Sequence, residues 1–286
     1  MISVFQAIIL GLLQGISELF PISSLGHSVI LPGLLGWQFD QNANYFLTFL
    51  VATHLATAIV LFIFYWQDWK RIIAGIFRSL REREIKESDP DAKLGWLLVV
   101  STIPAGIMGL LFEEQLKKLF ISPRFVAFFL ILNGIMLFVA EVLRRRAKAE
   151  ELIEGGDKRI ARELSWRKSF MIGVMQVIAL IPGFSRTGAT ISGGLLVGLS
   201  HEDALRYSFL MATPIIGAAA FLKLPELLVS GGYQAINVAI IGSLAAAIGA
   251  YFSVKFLTKY FKTNRLTPFA IYCVIVGALS LPILIR

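Results

Sequence analysis

Glu18, Ser24 and His27 stand within ten residues of one another, inside long apolar sequence. A carboxylate, a hydroxyl and an imidazole so close together are the groups that activate a nucleophile or relay a proton. Gln14 and Glu18 are four residues apart and share a helix face. Pro21 stops that helix, and Ser23 and Ser24 follow directly. Ser23 also suits the cap of the next helix, a role serine commonly fills. Ser24 is the leading nucleophile, with Glu18 or His27 taking its proton; His27 itself is the alternative nucleophile. A plainer reading pairs Glu18 with a neighbouring donor and gives it no further part. Ionisable groups in such apolar company nonetheless mark function by default.

A second cluster reads Pro182-Gly183-Phe184-Ser185-Arg186-Thr187-Gly188-Ala189-Thr190. Glycine-rich turns that open a helix aim backbone N–H groups at an anion. Arg186 adds a permanent charge with the fork geometry that clamps phosphate. Ser185, Thr187 and Thr190 add hydroxyls. The expected binding set is Gln14, Ser23, Gly183, Ser185, Arg186, Thr187 and Thr190. If Arg186 merely neutralised Glu18, the surrounding Ser/Thr/Gly cluster would have no explanation. Three other groups are weaker candidates: His54, read as an inter-helix hydrogen-bonder, Glu141, paired with Arg144 or Arg145, and the interfacial charges Glu113-Glu114 and Lys117-Lys118. No HExxH, EF-hand, Walker A or GxGxxG fingerprint occurs, so no nucleotide, organic cofactor or dedicated zinc site is expected.

These groups need elements to hold them, and composition says what kind. Hydrophobic residues make up 56% of the chain and charged residues 16%, with a mean hydropathy of +0.73. A soluble domain carries about 25% charged residues. An integral membrane protein is expected. The formal charge of +8 would suit nucleic acid, but the basic residues lie between apolar spans, where the positive-inside bias accounts for them. The single cysteine, Cys273, permits no internal disulfide. The first Lys or Arg is Lys70, so a cleavable signal peptide, which needs a basic start, is not expected.

Six stretches are long enough to cross a bilayer, which takes about 20 helical residues: 45–66, 94–112, 123–143, 204–222, 235–258 and 267–285. Regions 3–36 and 167–199 are different. Each is two short helical runs around Pro, Ser and Gly, which suits a hairpin that enters and leaves by one face. Gln, Pro, Ser and Gly recur in one order in both regions, and similarity continues from Tyr45 against Tyr207 and from Arg124 against Thr267. The expected fold is all-α: six transmembrane helices plus two re-entrant helix-loop-helix hairpins in an inverted-topology repeat. It forms a single membrane domain, 1–286, with repeats 1–146 and 166–286 joined by a cytoplasmic linker, 147–165. Twenty-one of the 27 Lys and Arg fall in 68–93, 144–168, 255–265 and at Arg206, which places those segments in the cytoplasm and both termini outside. The hairpin tips would then meet near the midplane, where inverted repeats place their ligand.

The motifs resemble the undecaprenyl-diphosphate phosphatase family, the BacA-type bacitracin-resistance proteins. Gln14-Gly15-Ile16-Ser17-Glu18 is similar to that family's (E/Q)xxxE motif. Pro21-Ile22-Ser23-Ser24-Leu25-Gly26-His27 is similar to its PxSSxGH stretch, and Pro182 to Thr190 to its PGxSRSxxT motif. Gln14, Leu25 and Thr187 depart from the commoner Glu, Thr and Ser, and Gln14 weakens a two-carboxylate metal site. The resemblance implies hydrolysis of a C55 isoprenoid diphosphate to the monophosphate, which recycles the lipid carrier of peptidoglycan synthesis. It also implies an active site reached from the outer face of the bacterial inner membrane, and a divalent-cation requirement; if such a cation (Mg or Ca) binds, Glu18 and the diphosphate are the expected ligands, because hard cations prefer oxygen. The expected partners are a polyprenyl diphosphate lipid, the bilayer and, as a homodimer, a second copy; no nucleic acid is expected. The rival from another class is a carrier that flips the polyprenyl phosphate, because inverted repeats with broken helices also build transporters.

Overall fold

The computed structural model describes residues 2–40, 43–112, 115, 123–146 and 157–284. Among these residues it holds eleven helices and no strand. The first half contains α1 (Val4–Leu19), α2 (Ser24–Leu34), α3 (Asn44–Phe64), α4 (Trp66–Glu82), α5 (Pro90–Leu111) and α6 (Pro123–Arg146). The second contains α7 (Asp157–Glu163), α8 (Trp166–Ile178), α9 (Arg186–Leu196), α10 (His201–Tyr260) and α11 (Thr267–Leu284). Among the described residues, six segments are long and apolar enough to cross a membrane: Tyr45–Phe64, Pro90–Leu111, Pro123–Arg144, His201–Lys223, Ala235–Tyr260 and Thr267–Leu284. They coincide, to within a few residues, with the spans expected from sequence.

Helix α10 has 60 residues. A straight helix of that length would span about 90 Å, some three bilayer cores. It does not run straight. The ring of His201, its first residue, stacks on Phe261 just past its last, with centroids 6.4 Å apart. The element therefore doubles back, and its two limbs are the fourth and fifth spans.

The short paired helices α1/α2 and α8/α9 are compatible with the expected re-entrant hairpins. Serine sets each elbow. Ser23 Oγ accepts from Gly26 N (3.1 Å) to cap α2, and Ser185 Oγ accepts from Gly188 N (3.0 Å) to cap α9. Asn133 of α6 ties the elbows together: its Nδ2 donates to Pro21 O (3.0 Å) and its Oδ1 accepts from Ser185 N (3.0 Å). Two glycines let α1 lie directly on the second limb of α10. A Cβ at Gly15 would sit 2.0 Å from Ala246 O, and one at Gly11 would sit 2.2 Å from Gly242 O. Gly15→Ala should therefore cost on the order of 1–3 kcal/mol, as overpacking does. Thermal unfolding in detergent checks this, with Gly106→Ala, whose Cβ would meet nothing within 4 Å, as the control.

Two charged segments take up helical structure of their own. The charged stretch after the first span begins as α4, which buries Trp69, Ile72, Gly75 and Ser79 while Lys70, Arg71, Arg78 and Arg81 stay outside the core. That apolar period of three to four residues makes an amphipathic helix. Pro90 then opens α5 four residues early because Asp89 caps it, accepting from Ala92 N (3.0 Å). Arg78 also binds the Asp89 carboxylate, at 2.9 and 3.0 Å, and holds its pKa below the usual carboxylate range. In the linker, 147–156 lies outside the described residues. Its last part is an amphipathic helix: α7 buries Ile160 and Ala161, with Leu164 just beyond its end, and Arg159 binds the buried Asp203.

Candidate active site

The elbows bring Glu18 and Arg186 together from 168 residues apart. Arg186 Nη2 lies 3.2 Å and Nε 3.4 Å from Glu18 Oε1. The other carboxylate oxygen, Oε2, accepts Ser24 Oγ at 2.5 Å and Gln14 Nε2 at 3.3 Å. His54 Nε2 lies 3.3 Å from that same oxygen. Glu18 is thus a hub. A guanidinium sits on one oxygen, and a hydroxyl, an amide and an imidazole crowd the other.

Local structure explains why these side chains converge. Ser23 is in the left-handed region (φ 69°), where a residue with a Cβ costs about 1–3 kcal/mol. This sharp turn starts α2 at Ser24 immediately after the elbow. Gly183 (φ 103°) does the equivalent in the second elbow, where a Cβ would lie 2.5 Å from Val126 O of α6. Thr187 Oγ1 donates to Glu18 O (2.9 Å) and so fastens α9 to the end of α1. Thr190 Oγ1 donates to Arg186 O (2.9 Å) and meets Ser208 Oγ at 2.6 Å. Arg186 Nη1 donates to Ser208 O (3.3 Å), which leaves the guanidinium held on both sides.

A pocket of about 370 Å³ opens on this hub. Glu18, Ser23, Ser24, His54, Ser185 and Arg186 supply its polar lining. Leu25, Leu47, Leu50, Val51, Ile215, Ile216, Ala219 and Ala220 make apolar walls, and Lys223 lines it too. A larger cavity, about 1170 Å³, lies between the 83–88 loop, Trp96 and Trp166, and none of the candidate residues lines it. Chemistry therefore favours the smaller pocket. It can hold an anionic head against Arg186 and an apolar chain against the Leu, Ile and Ala walls.

Not every expected residue reaches the pocket. Glu18, Ser23, Ser24, Ser185 and Arg186 line it; Gln14, Gly183, Thr187 and Thr190 stand behind it and hold the lining residues or the elbows. His27 is turned elsewhere. Its Nδ1 meets Ser23 O at 2.7 Å, its Nε2 meets Tyr272 OH at 2.9 Å, and its ring stacks on Tyr272. The backbone cradle is also smaller than the sequence suggests, because the N–H groups of Ser185 and Gly188 already bind Asn133 and Ser185. The imidazole that does reach Glu18 is His54, 36 residues away in α3. The signal for it was present: an ionisable group in the middle of a bilayer-length span.

Glu18 is a poor fit for a divalent cation. A carboxylate has about four lone-pair directions. Five side-chain atoms already crowd this one: two from Arg186 and one each from Gln14, Ser24 and His54. Among the described residues no three His, Cys, Asp or Glu side chains are grouped to hold a metal. A cation there would have to expel one of these partners.

Comparison with known proteins agrees with the motifs. Over 298 residues the chain is 45% identical to an undecaprenyl-diphosphatase of Mycolicibacterium paratuberculosis, covering 98% of this chain and 97% of that one. It is 44% identical over 289 residues to the undecaprenyl-diphosphatase of Gluconacetobacter diazotrophicus, with 99% and 97% covered. Undecaprenyl-diphosphatase 2 of Frankia alni is 41% identical, with 96% of each chain covered. Residues 7–279 match the family described as bacitracin resistance protein BacA, and the chain belongs to that family.

Proposed function

We propose that this protein is a multi-pass bacterial membrane phosphatase that hydrolyses undecaprenyl diphosphate to the monophosphate and inorganic phosphate. One observation carries the reading: Ser24 Oγ donates to Glu18 while Arg186 stands on the other carboxylate oxygen, all three lining an apolar-walled pocket. The names of the relatives supply the substrate. The diphosphate enters head first, and its terminal phosphate takes the Arg186 guanidinium. Ser24 attacks that phosphorus as Glu18 receives its proton, and the bond to the bridging oxygen breaks. Arg186 neutralises charge on the transferring group. Gln14, Thr187 and Thr190 keep Glu18 and Arg186 in place. The Leu and Ile walls receive the first isoprene units.

A carrier reading is not favoured. Flipping a phosphate needs a charge partner, but it gives no reason for a serine hydroxyl aimed at a carboxylate. Purified protein in micelles, given the polyprenyl diphosphate, should release inorganic phosphate, and Ser24→Ala should abolish release without lowering the unfolding temperature. Lipid flipping in liposomes that survives Ser24→Ala, with no phosphate ever released, would favour the carrier instead.

The site opens toward the start of α3 and the end of the first limb of α10, which the charge bias places outside. In a Cys273→Ser background, Gln38→Cys should label with a membrane-impermeant thiol reagent in intact cells. Ser88→Cys should label only after lysis. The reverse pattern overturns this orientation.

A further inference from the structure

Hydrogen-bond roles separate the site's two histidines. In both rings Nδ1 lies 2.7 Å from a backbone carbonyl, Ser23 O for His27 and Leu50 O for His54. A carbonyl only accepts, so Nδ1 carries the hydrogen in each. For His27 the other nitrogen then accepts from Tyr272 OH at 2.9 Å. That ring is complete as a neutral imidazole. For His54 the other nitrogen faces Glu18 Oε2 at 3.3 Å. A neutral ring and an ionised carboxylate would set two lone pairs against each other. One proton must lie between them, on the imidazole or on the carboxyl. The same oxygen accepts the Ser24 hydroxyl at 2.5 Å.

We infer that Ser24, Glu18 and His54 form one hydrogen-bonded unit in which Glu18 and His54 share a proton, and that His54 is a positioning residue for phosphoryl transfer. The inference rests on the phosphatase reading and adds a residue to it. In the first step Ser24 Oγ bonds to the terminal phosphorus. The bridging P–O bond breaks, and its electron pair leaves on the lipid monophosphate. The Ser24 proton passes to Glu18 Oε2, so the pair holds two protons. In the second step water attacks the phosphoserine. The P–Oγ bond breaks, Oγ recovers a proton from Glu18, and the water proton enters the pair. One proton then leaves with inorganic phosphate, and the pair again holds one. Without His54 the Ser24 proton would have a single holder beside Arg186. The charged groups around His54 are Glu18 from α1 and Arg186 from α9, with Lys223 of α10 lining the same pocket.

His54→Gln keeps an N–H that can reach Glu18 but cannot take up a proton. Phosphate release should be followed from pH 5 to 9 in micelles with the polyprenyl diphosphate. The variant should lose about 100-fold in kcat, the scale of acid–base assistance, with KM little changed. The wild type should lose rate at alkaline pH as the shared proton leaves, and the variant should lack that limb. Wild-type kcat with an unchanged pH profile in folded His54→Gln overturns the shared proton. Absence of release by the wild type itself would instead sink the phosphatase reading. Nitrogen-15 spectra of histidine-labelled wild type give a measurement that needs neither turnover nor that variant. His54 should titrate, its titration should move in Glu18→Gln, and His27 should stay a neutral Nδ1–H ring. A titrating His27 beside an inert His54 overturns the assignment.

Discussion

Arg186→Ala should lower kcat for phosphate release by about 10³-fold or more, the range associated with an arginine on a transferring phosphoryl group. The transition state spreads charge over three oxygens, and Arg186 is the guanidinium that lines the pocket beside Ser24. It is held for that task by Glu18 at 3.2 Å, Ser208 O at 3.3 Å and Thr187 Oγ1 at 3.3 Å. A fixed donor in a dry site needs no reorganisation as charge develops. Arg186→Lys keeps the charge and loses the fork, and should recover only part of the rate. Initial rates in micelles, read beside the unfolding temperature of each variant, decide the matter. A folded Arg186→Ala enzyme within threefold of wild type removes the clamp from the mechanism.

What the sequence made legible was local. Pro21 and Pro182 interrupt apolar runs, and the serines behind them cap helices, so both elbows could be placed before any coordinates. The spans were equally plain, because a bilayer asks for about 20 apolar residues and little else. Contacts between distant segments were not legible. His27 looked like the partner of Glu18 because it lies nine residues away, yet Ser23 O, one turn back along its own helix, holds the ring toward Tyr272. His54 belongs to a helix that is apolar all round, and no periodicity says which face meets α1. Arg186 and Glu18 could be paired only by supposing that the elbows meet. The α4 helix was masked by its own charges, although Trp69, Ile72, Gly75 and Ser79 recur at helical spacing.

The plainest alternative, that Arg186 only neutralises a buried Glu18, separates from the clamp in a four-protein cycle. Both side chains are largely shielded, at 14% and 8% exposed. Glu18→Gln strands the guanidinium, and breaking such a pair from one side costs about 3–5 kcal/mol. Arg186→Gln strands the carboxylate, less severely, since His54 and Ser24 remain on it. In Glu18→Gln/Arg186→Gln two amides of similar size face each other and neither carries charge. The unfolding temperature of the double variant should rise above that of Glu18→Gln, because an uncompensated buried charge is gone. Stability in the cycle is therefore strongly non-additive. Activity should behave differently. The double variant has no base for Ser24 and no clamp for the phosphoryl group, so kcat stays about 10³-fold or more below wild type. If charge balance were all that Arg186 supplied, the double variant would turn over no more slowly than Glu18→Gln, which has already lost the base. A double variant that is more stable than Glu18→Gln and yet slower is the result that a working guanidinium requires.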